Sequence, residues 1–578
     1  MNLFLDIETN TAHDHIWMCW TFDEQNGFLC HEKPETLLPL INKADKVVGH
    51  NLIGFDAPIL NRLWKTSISL KNSMDTLVMS RLVSPDILGG HSLEAWGERL
   101  GKKKSDYQRI YWRLQGVRQY DKNDLSHWNN PNIPLMSAYC KRDVEVLVKL
   151  YNKVAPQLES WKKEVNTATK DWSFLELEHR VAAILKKQEE RGFYFDNKKA
   201  QSLLATLSGE LADIEGMLQD TFEPIVEERV SEKTGKILKP KVTVFNPGSR
   251  QQIAERLMSL GVEFDKKTEK GSIIIDEKVL STVNLPEARL IARYLLLQKR
   301  VSQVSSWFNE VKDDNCIHGR VNPIGAVTGR MTHFSPNMAQ IPNSGSEYGP
   351  ECRDCFIARD GYILVGADAS GLELRMLAHY MRDEGYVKTV VEGSSKDGTD
   401  VHTVNQKAAG LSTRDQAKTF IYAFLYGAGP KKIGSIVGSD ADAGQKLIKK
   451  FLRATPALQR LRDKVERQAA QGFVPGLDGR KIWVRSAHAA LNTLLQGAGA
   501  VVMKKALIIL DKKLKSATID AHFVANVHDE WQIEAKPSEA ERVGQMAVDS
   551  IREAGEYFNL FCPLSGEYNI GGSWKETH

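Results

Sequence analysis

The run Asn2–Ile7 is almost wholly apolar, and the two-residue period of a strand puts Asp6 and Glu8 on one side of it. Val47 to Asp56 repeats the device, an apolar strand followed by one acid. From Met74 to Val83 and from Gly90 to Gly101 the apolar spacing becomes helical and suits packing rather than catalysis. Tyr139 and Asp143, four apart, share a helical face. Residues 161–195, rich in Glu, Lys, Leu and Trp and without clustered turn formers, read as long helices joining two domains, with no chemistry visible.

Leu203, Leu204, Leu207, Leu211, Ile214 and Leu218 recur at helical spacing within Asn197–Phe222, and a second helical unit runs from Phe245 to Leu260. The two are expected to pair as a helical hairpin. Glu223 to Thr243 joins them through a turn at Thr234-Gly235 and carries Lys233, Lys236, Lys239 and Lys241. Gly325–Pro342 holds too many breakers to be one element. Tyr362–Ala367 is an apolar strand ending in Asp368, with a helix from near Leu372. Leu477–Gln496 reads as strand, turn and helix, with His488 and Gln496 on nearby faces. Phe523–Glu534 alternates as a hairpin with His528, Asp529 and Glu530 at its turn.

The densest stretch is Thr413–Gly429. Arg414, Lys418, Tyr422 and Tyr426 recur every fourth residue and drift only about 40° per step, so they share a face roughly 18 Å long. Thr413 suits an N-cap; Gly427 and Gly429 are expected as left-handed stops, and Pro430 cannot continue the helix. Phe420, Ile421, Phe424 and Leu425 make the opposite face apolar, as any amphipathic helix would have it.

At 578 residues the chain is too long for one core, and about three or four domains are expected. A net charge of +4 permits a polyanionic partner without demanding one. Seven cysteines, with no signal peptide or apolar run of membrane length, suit a reducing cytosol. Cys352 and Cys355 form a lone C-x-x-C that reads as two reduced thiols beside a helix start.

The helix pattern R-x-x-x-K-x-x-x-Y-x-x-x-Y-G resembles the fingers helix of family A DNA polymerases. LEAWGERLG, GLELRMLAHY and AALNTLLQ extend the likeness over nearly the whole chain, toward the polymerases of short-tailed, T-seven-type phages. The resemblance implies a multidomain α/β and α+β chain. A ribonuclease H-like 3′–5′ exonuclease domain (1–160) and a helical linker (161–195) would come first. A thumb (196–310, tip hairpin 223–243), palm (311–400), fingers (401–475, helix 413–429) and second palm segment (476–578) would follow.

It implies that Asp6, Glu8, Asp56 and Asp143 hold two Mg²⁺ ions for proofreading of the DEDDy type, while the Tyr139 hydroxyl orients water. Asp368, Ala369 and Asp529 would be metal positions of the polymerase. Arg414, Lys418 and His402 would meet nucleotide phosphates, Tyr422 the sugar, and Glu373 would exclude a ribose 2′-hydroxyl. Arg330, Gln340, Arg485, His488, Gln496 and His528 would contact DNA, although His488 equally suits a histidine satisfied by local backbone. Mn²⁺ is the expected substitute for Mg²⁺. Implied partners are primer-template DNA, deoxynucleoside triphosphates, a phage helicase-primase and a single-strand binding protein, in the host cytoplasm and without a membrane. The short thumb tip leaves no room for a thioredoxin-docking insertion. A nuclease with a dead polymerase module, or a binding factor without catalysis, would lack some of these acids; none is missing.

Overall fold

The computed structural model describes residues 1–164, 173–230, 235–264, 267–268 and 271–578. Five strands open the chain, ordered Gly27–His31, Ile16–Asp23, Asn2–Thr9, Lys46–Gly49, Ser73–Asp75 across one sheet. Asn2–Thr9 is central, antiparallel to Ile16–Asp23 and parallel to Lys46–Gly49. This is the ribonuclease H-like arrangement. Burial of Leu3, Leu5 and Ile7 on one face leaves Asp6 and Glu8 on the other, toward the helix Ile133–Glu164 that carries Tyr139 and Asp143. Met74 and Asp75 lie in the edge strand, so the helix expected from Met74 starts at Thr76, capped by the Asp75 carboxylate.

A second sheet of four antiparallel strands, ordered Ala521–Val527, Glu530–Ala535, Ile363–Ala369, Gly566–Gly571, lies under the carboxyl-terminal half. Asp368 pairs with Glu530 on one side and Glu567 on the other. The 27-residue helix Ala490–Ser516 runs through the core below it. Against expectation, Ala487–Ser516 is long and apolar enough to span a bilayer, but 72 % of its apolar window is buried inside the protein, which marks a core helix.

Helix Asn197–Thr221 forms as its leucines require, yet its partner is not the following helix Arg250–Ser259. It packs along Pro286–Glu310, where Leu203 and Leu207 share a core with Leu297 and Val304. The segment between the first two helices is a two-stranded hairpin, Ile225–Val230 against Ile237–Thr243, with Gly235 at φ +63. Lys233 and Thr234 lie outside the described residues.

Helix Ser173–Arg191, within the expected linker, is no spacer. Leu177, Val181, Ile184 and Leu185 belong to the same core as Leu494 and Leu507 of the long helix, while Phe174 and Leu175 pack with Val144 and Leu147 of the first domain. Trp483 Nε1 donates to the Val83 carbonyl at 2.8 Å across the same seam. All seven cysteines are free, and burial pushes the Cys352 and Cys355 thiols up to about 11 and about 12, as suits inert core thiols.

Candidate active sites

At the first site the sheet supplies Asp6 and Glu8, and the loop after Lys46–Gly49 turns into a helix beginning at Asp56. Asp56 Oδ1 accepts the Ile7 N–H at 3.2 Å, which ties this acid to the strand between the other two. Asp143 comes from the facing helix. Glu8, Asp56 and Asp143 are buried, and Asp6 is half-buried. Burial, then the Asp143 charge, raises the Asp6 carboxyl to about 7; burial alone is the main cause that takes Asp143 to about 6. Glu8 and Asp56 are pushed well up, each by burial and then by the Asp6 charge.

So many acids in one place call for a cation. Lys104 provides one: its ammonium donates to Asp143 Oδ2 and sits 4.5 Å from the Tyr139 ring centre. The other Asp143 oxygen is buried without a hydrogen-bond partner. Ligand atoms of Asp6, Glu8 and Cys140 lie within 4.8 Å of one another. The Cys140 thiol, pushed far up by burial, stays protonated and faces Asp6 Oδ2 at 3.6 Å, so the usable donors are carboxylate oxygens. Hard oxygens and an orphaned acceptor fit Mg²⁺ or Mn²⁺. The Tyr139 hydroxyl is raised by burial and by Asp143 and stays neutral. A cleft of about 1010 Å³ opens from Asp6 and Asp143, walled also by Arg320 and Phe334 from the second half of the chain.

At the second site Asp368 is next to last in its strand, which runs on to Ala369, and Asp529 stands in the turn after Val527, beside His528 at φ +57; Glu530 is already in the next strand. Ala369 N–H donates to the Asp529 carbonyl at 3.2 Å, which joins strand end to turn. Burial, then Asp529, raises Asp368 to about 7. The crowded pair has the donor chemistry of a divalent-cation site.

The helix over this pair runs Arg414–Leu425, shorter than the expected 413–429. Thr413 and Gln416 form a capping box at its start, and Tyr426 is its C-cap. Gly427 takes φ +74, and a Cβ there would meet the His488 carbonyl at 2.8 Å. Gly429 is not left-handed; at φ −70 it caps a new helix beginning at Pro430. Arg414 Nη2 bonds Asp400 Oδ1 at 2.9 Å. Burial raises the Asp400 carboxyl, but hydrogen bonds from Thr403 and Arg414 outweigh it and hold it at about 2. Lys418 is exposed. His402 lies 6.2 Å from the Tyr422 ring, and Tyr426 stacks on Tyr422 at 6.4 Å. Glu373 is bracketed: Arg330 Nη2 donates to one oxygen at 3.0 Å and the Tyr426 hydroxyl to the other at 2.8 Å.

Arg330, His528 and Asp529 line one small pocket. Gln340 is exposed in a short turn, His488 is exposed in the 3₁₀ turn ahead of the long helix, and Gln496 is half-buried on that helix. Arg485 stands apart, bonded to Asp86 Oδ2 of the first domain at 3.1 Å. Lys104 and Asp400 escaped the sequence reading. Lys104 ends a run of three lysines that resembles a solvated charge cluster, and Asp400 shows only as an acid two residues before His402.

Residues 218–576 match the family model described as DNA polymerase family A. A DNA-directed DNA polymerase of Enterobacteria phage T3 is 35 % identical, with all of both chains covered; one of Escherichia phage T7 is also 35 % identical over 92 % of each. The solved POL domain of Pol1 from M. smegmatis, in complex with DNA primer-template and dNTP, superposes with a TM-score of 0.78 at 20 % identity, over 100 % of this chain and 96 % of that one.

Proposed function

The chain belongs to DNA polymerase family A, and from that premise we propose that it extends a DNA primer on a template at Asp368 and Asp529 and trims the 3′ end at Asp6, Glu8, Asp56 and Asp143. The observation that carries this reading is the presence, in one chain, of two separate carboxylate clusters, the first mostly buried and the second half-buried beneath a helix bearing Arg414 and Lys418. Two Mg²⁺ ions at each site, held by these acids with Ala369 as a further metal position, would supply Lewis acidity and an activated nucleophile.

The residues of the chain do the rest by position and charge. Arg414, fixed by Asp400, and Lys418 offset the triphosphate charge, with His402 beside them. The Tyr422 ring lies along the sugar. Arg330, Gln340, Arg485, His488, Gln496 and His528 hold primer-template DNA, and pairing with the template supplies sequence choice. At the nuclease site the neutral Tyr139 hydroxyl orients the attacking water, and Lys104 keeps Asp143 in place. The setting is the host-cell cytoplasm, with a helicase-primase and a single-strand binding protein as partners. The test is a labelled primer-template with Mg²⁺: extension with four nucleotides and shortening without them. A protein that does neither sinks the reading.

Tyr422→Phe should raise discrimination against dideoxynucleotides at least several-fold, because a tyrosine hydroxyl can replace the missing 3′-hydroxyl and a neutral hydrogen bond contributes about 0.5–1.5 kcal/mol. Incorporation ratios for the two proteins decide it, and equal ratios would remove Tyr422 from the sugar.

The thumb tip gives another expected result. The T3 alignment runs over 710 positions against 578 residues here, so that relative carries segments this chain lacks. The hairpin is too small for a docking subdomain, and thioredoxin should not lengthen products. Lys236 and Lys239 are exposed, whereas Lys241 is engaged by Glu227 at 3.2 Å. Grip on DNA through such lysines should weaken with salt by a log–log slope of roughly −0.9 per phosphate neutralised. Single-hit extension with and without thioredoxin at rising salt tests both statements, and marked lengthening by thioredoxin contradicts the first.

A further inference from the structure

Helix Ser173–Arg191 carries two adjacent buried polar side chains that serve opposite halves of the molecule. His179 Nε2 accepts the Asp75 N–H at 3.3 Å, and the Asp75 carboxylate accepts from Asn51 and Ile53, each at 3.0 Å, in the loop that leads to Asp56. Glu178, fully buried, turns the other way. Its Oε1 accepts from Arg480 Nη1 at 2.5 Å and from Lys504 Nζ at 2.6 Å. Arg480 is itself chelated by Asp478, with contacts of 2.7 and 3.0 Å. Two acids and two bases therefore neutralise one another out of water.

A neutral apolar cluster could fill this space without the large desolvation cost of four charges. What the charges add is direction. Lys504 gives a further hydrogen bond, 2.8 Å long, to the carbonyl of Gly329. Gly329 is left-handed at φ +76, a conformation that leaves the chain before Arg330 weakly determined by its own sterics. The next residue is Arg330, which brackets Glu373 and lines a pocket with His528, Asp529 and Lys504 itself. Lys504 is 1 % exposed, and its hydrogen bonds go to Glu178 and the Gly329 carbonyl.

We propose that Lys504 and Glu178 are positioning residues for polymerisation: the helix that docks the nuclease domain holds, through Glu178, the ammonium that fixes the Gly329 carbonyl and so aims Arg330 at the primer end. The inference rests on the reading of Arg330 as a DNA contact. It makes polymerase geometry depend on the seating of a helix that also supports the nuclease loop, through a different residue.

The experiment is a double-mutant cycle. Lys504→Met removes the donor and keeps the length of the side chain; Glu178→Gln with Lys504→Met removes both charges and leaves Arg480 with Asp478, which guards against failure to fold. In the otherwise unaltered protein either variant should lower kcat/KM for a matched primer-template about tenfold, the effect of a lost buried charged hydrogen bond. In an Arg330→Ala background the further loss should be under about twofold, because both changes remove one arrangement. Degradation of single strands should be unchanged throughout. Equal losses in both backgrounds, or parallel loss of degradation, overturn the inference and leave Arg330 as a contact. If Arg330→Ala alone leaves extension intact, the reading of Arg330 falls and the inference falls with it.

Discussion

Asp529→Ala should abolish primer extension, a loss of at least about a thousandfold given the several kcal/mol that a correctly held metal supplies, while single strands should be shortened at the unaltered rate. Asp6→Ala combined with Glu8→Ala should do the opposite. The expectation follows from geometry: Asp529 stands in a turn of the four-stranded sheet, and Asp6 and Glu8 lie in the central strand of the five-stranded one. No acid is shared between the two clusters. Neither change should cost stability, because the first removes one carboxylate and the second removes two from a crowded set. Asp368 is raised to about 7 by burial and then by Asp529, and Asp6 to about 7 by burial and then by Asp143. A folded-state carboxyl pKa above its unfolded value means that stability falls as pH rises between the two, so relief of this repulsion favours the fold at neutral pH. The check is paired assays of extension and degradation on proteins with matched melting curves. Loss of both activities from either change would show one site where two are proposed.

What could be read from the chain was whatever chemistry confines to short segments. An acid within or near the end of an apolar strand, such as Asp6 or Asp368, announces itself because it interrupts an otherwise apolar run. The helix Arg414–Leu425 is legible because face and caps are local, and the misplaced stop at Gly429 came from treating composition as conformation: a glycine before a proline can serve as an N-cap as readily as a left-handed C′ residue. Long-range pairings left no such trace. Glu178 and Lys504 are 326 residues apart, and each alone looks like an ordinary solvated charge. Lys104 was hidden among neighbouring lysines until Asp143, 39 residues away, turned toward it. Leucines in Asn197–Thr221 demanded some apolar partner, but periodicity does not choose between Arg250–Ser259 and Pro286–Glu310; the length of contact does, since the latter helix runs 25 residues to match.

Glu373→Ala should raise ribonucleotide incorporation relative to deoxynucleotide by about a hundredfold, the range that filling or emptying a small pocket commands. The carboxylate excludes a 2′-hydroxyl only if it cannot swing aside, and two observations say that it cannot. Arg330 holds one oxygen at 3.0 Å and the Tyr426 hydroxyl holds the other at 2.8 Å. With both oxygens engaged the side chain is held in place as a wall; each oxygen keeps a second lone pair, so the expected exclusion is one of volume rather than of exhausted acceptors. Tyr426 is 47 % exposed and sits just past the helix end, so its hydrogen bond is the weaker of the two supports. Tyr426→Phe should therefore loosen the wall without removing it and give a smaller rise, several-fold rather than a hundredfold. Glu373→Gln keeps the bulk and should stay near the unaltered selectivity, which separates volume from charge. Competing ribonucleotide and deoxynucleotide incorporation opposite one template base measures all three. If Glu373→Gln relaxes selectivity as far as Glu373→Ala, the exclusion is electrostatic and the steric argument is wrong.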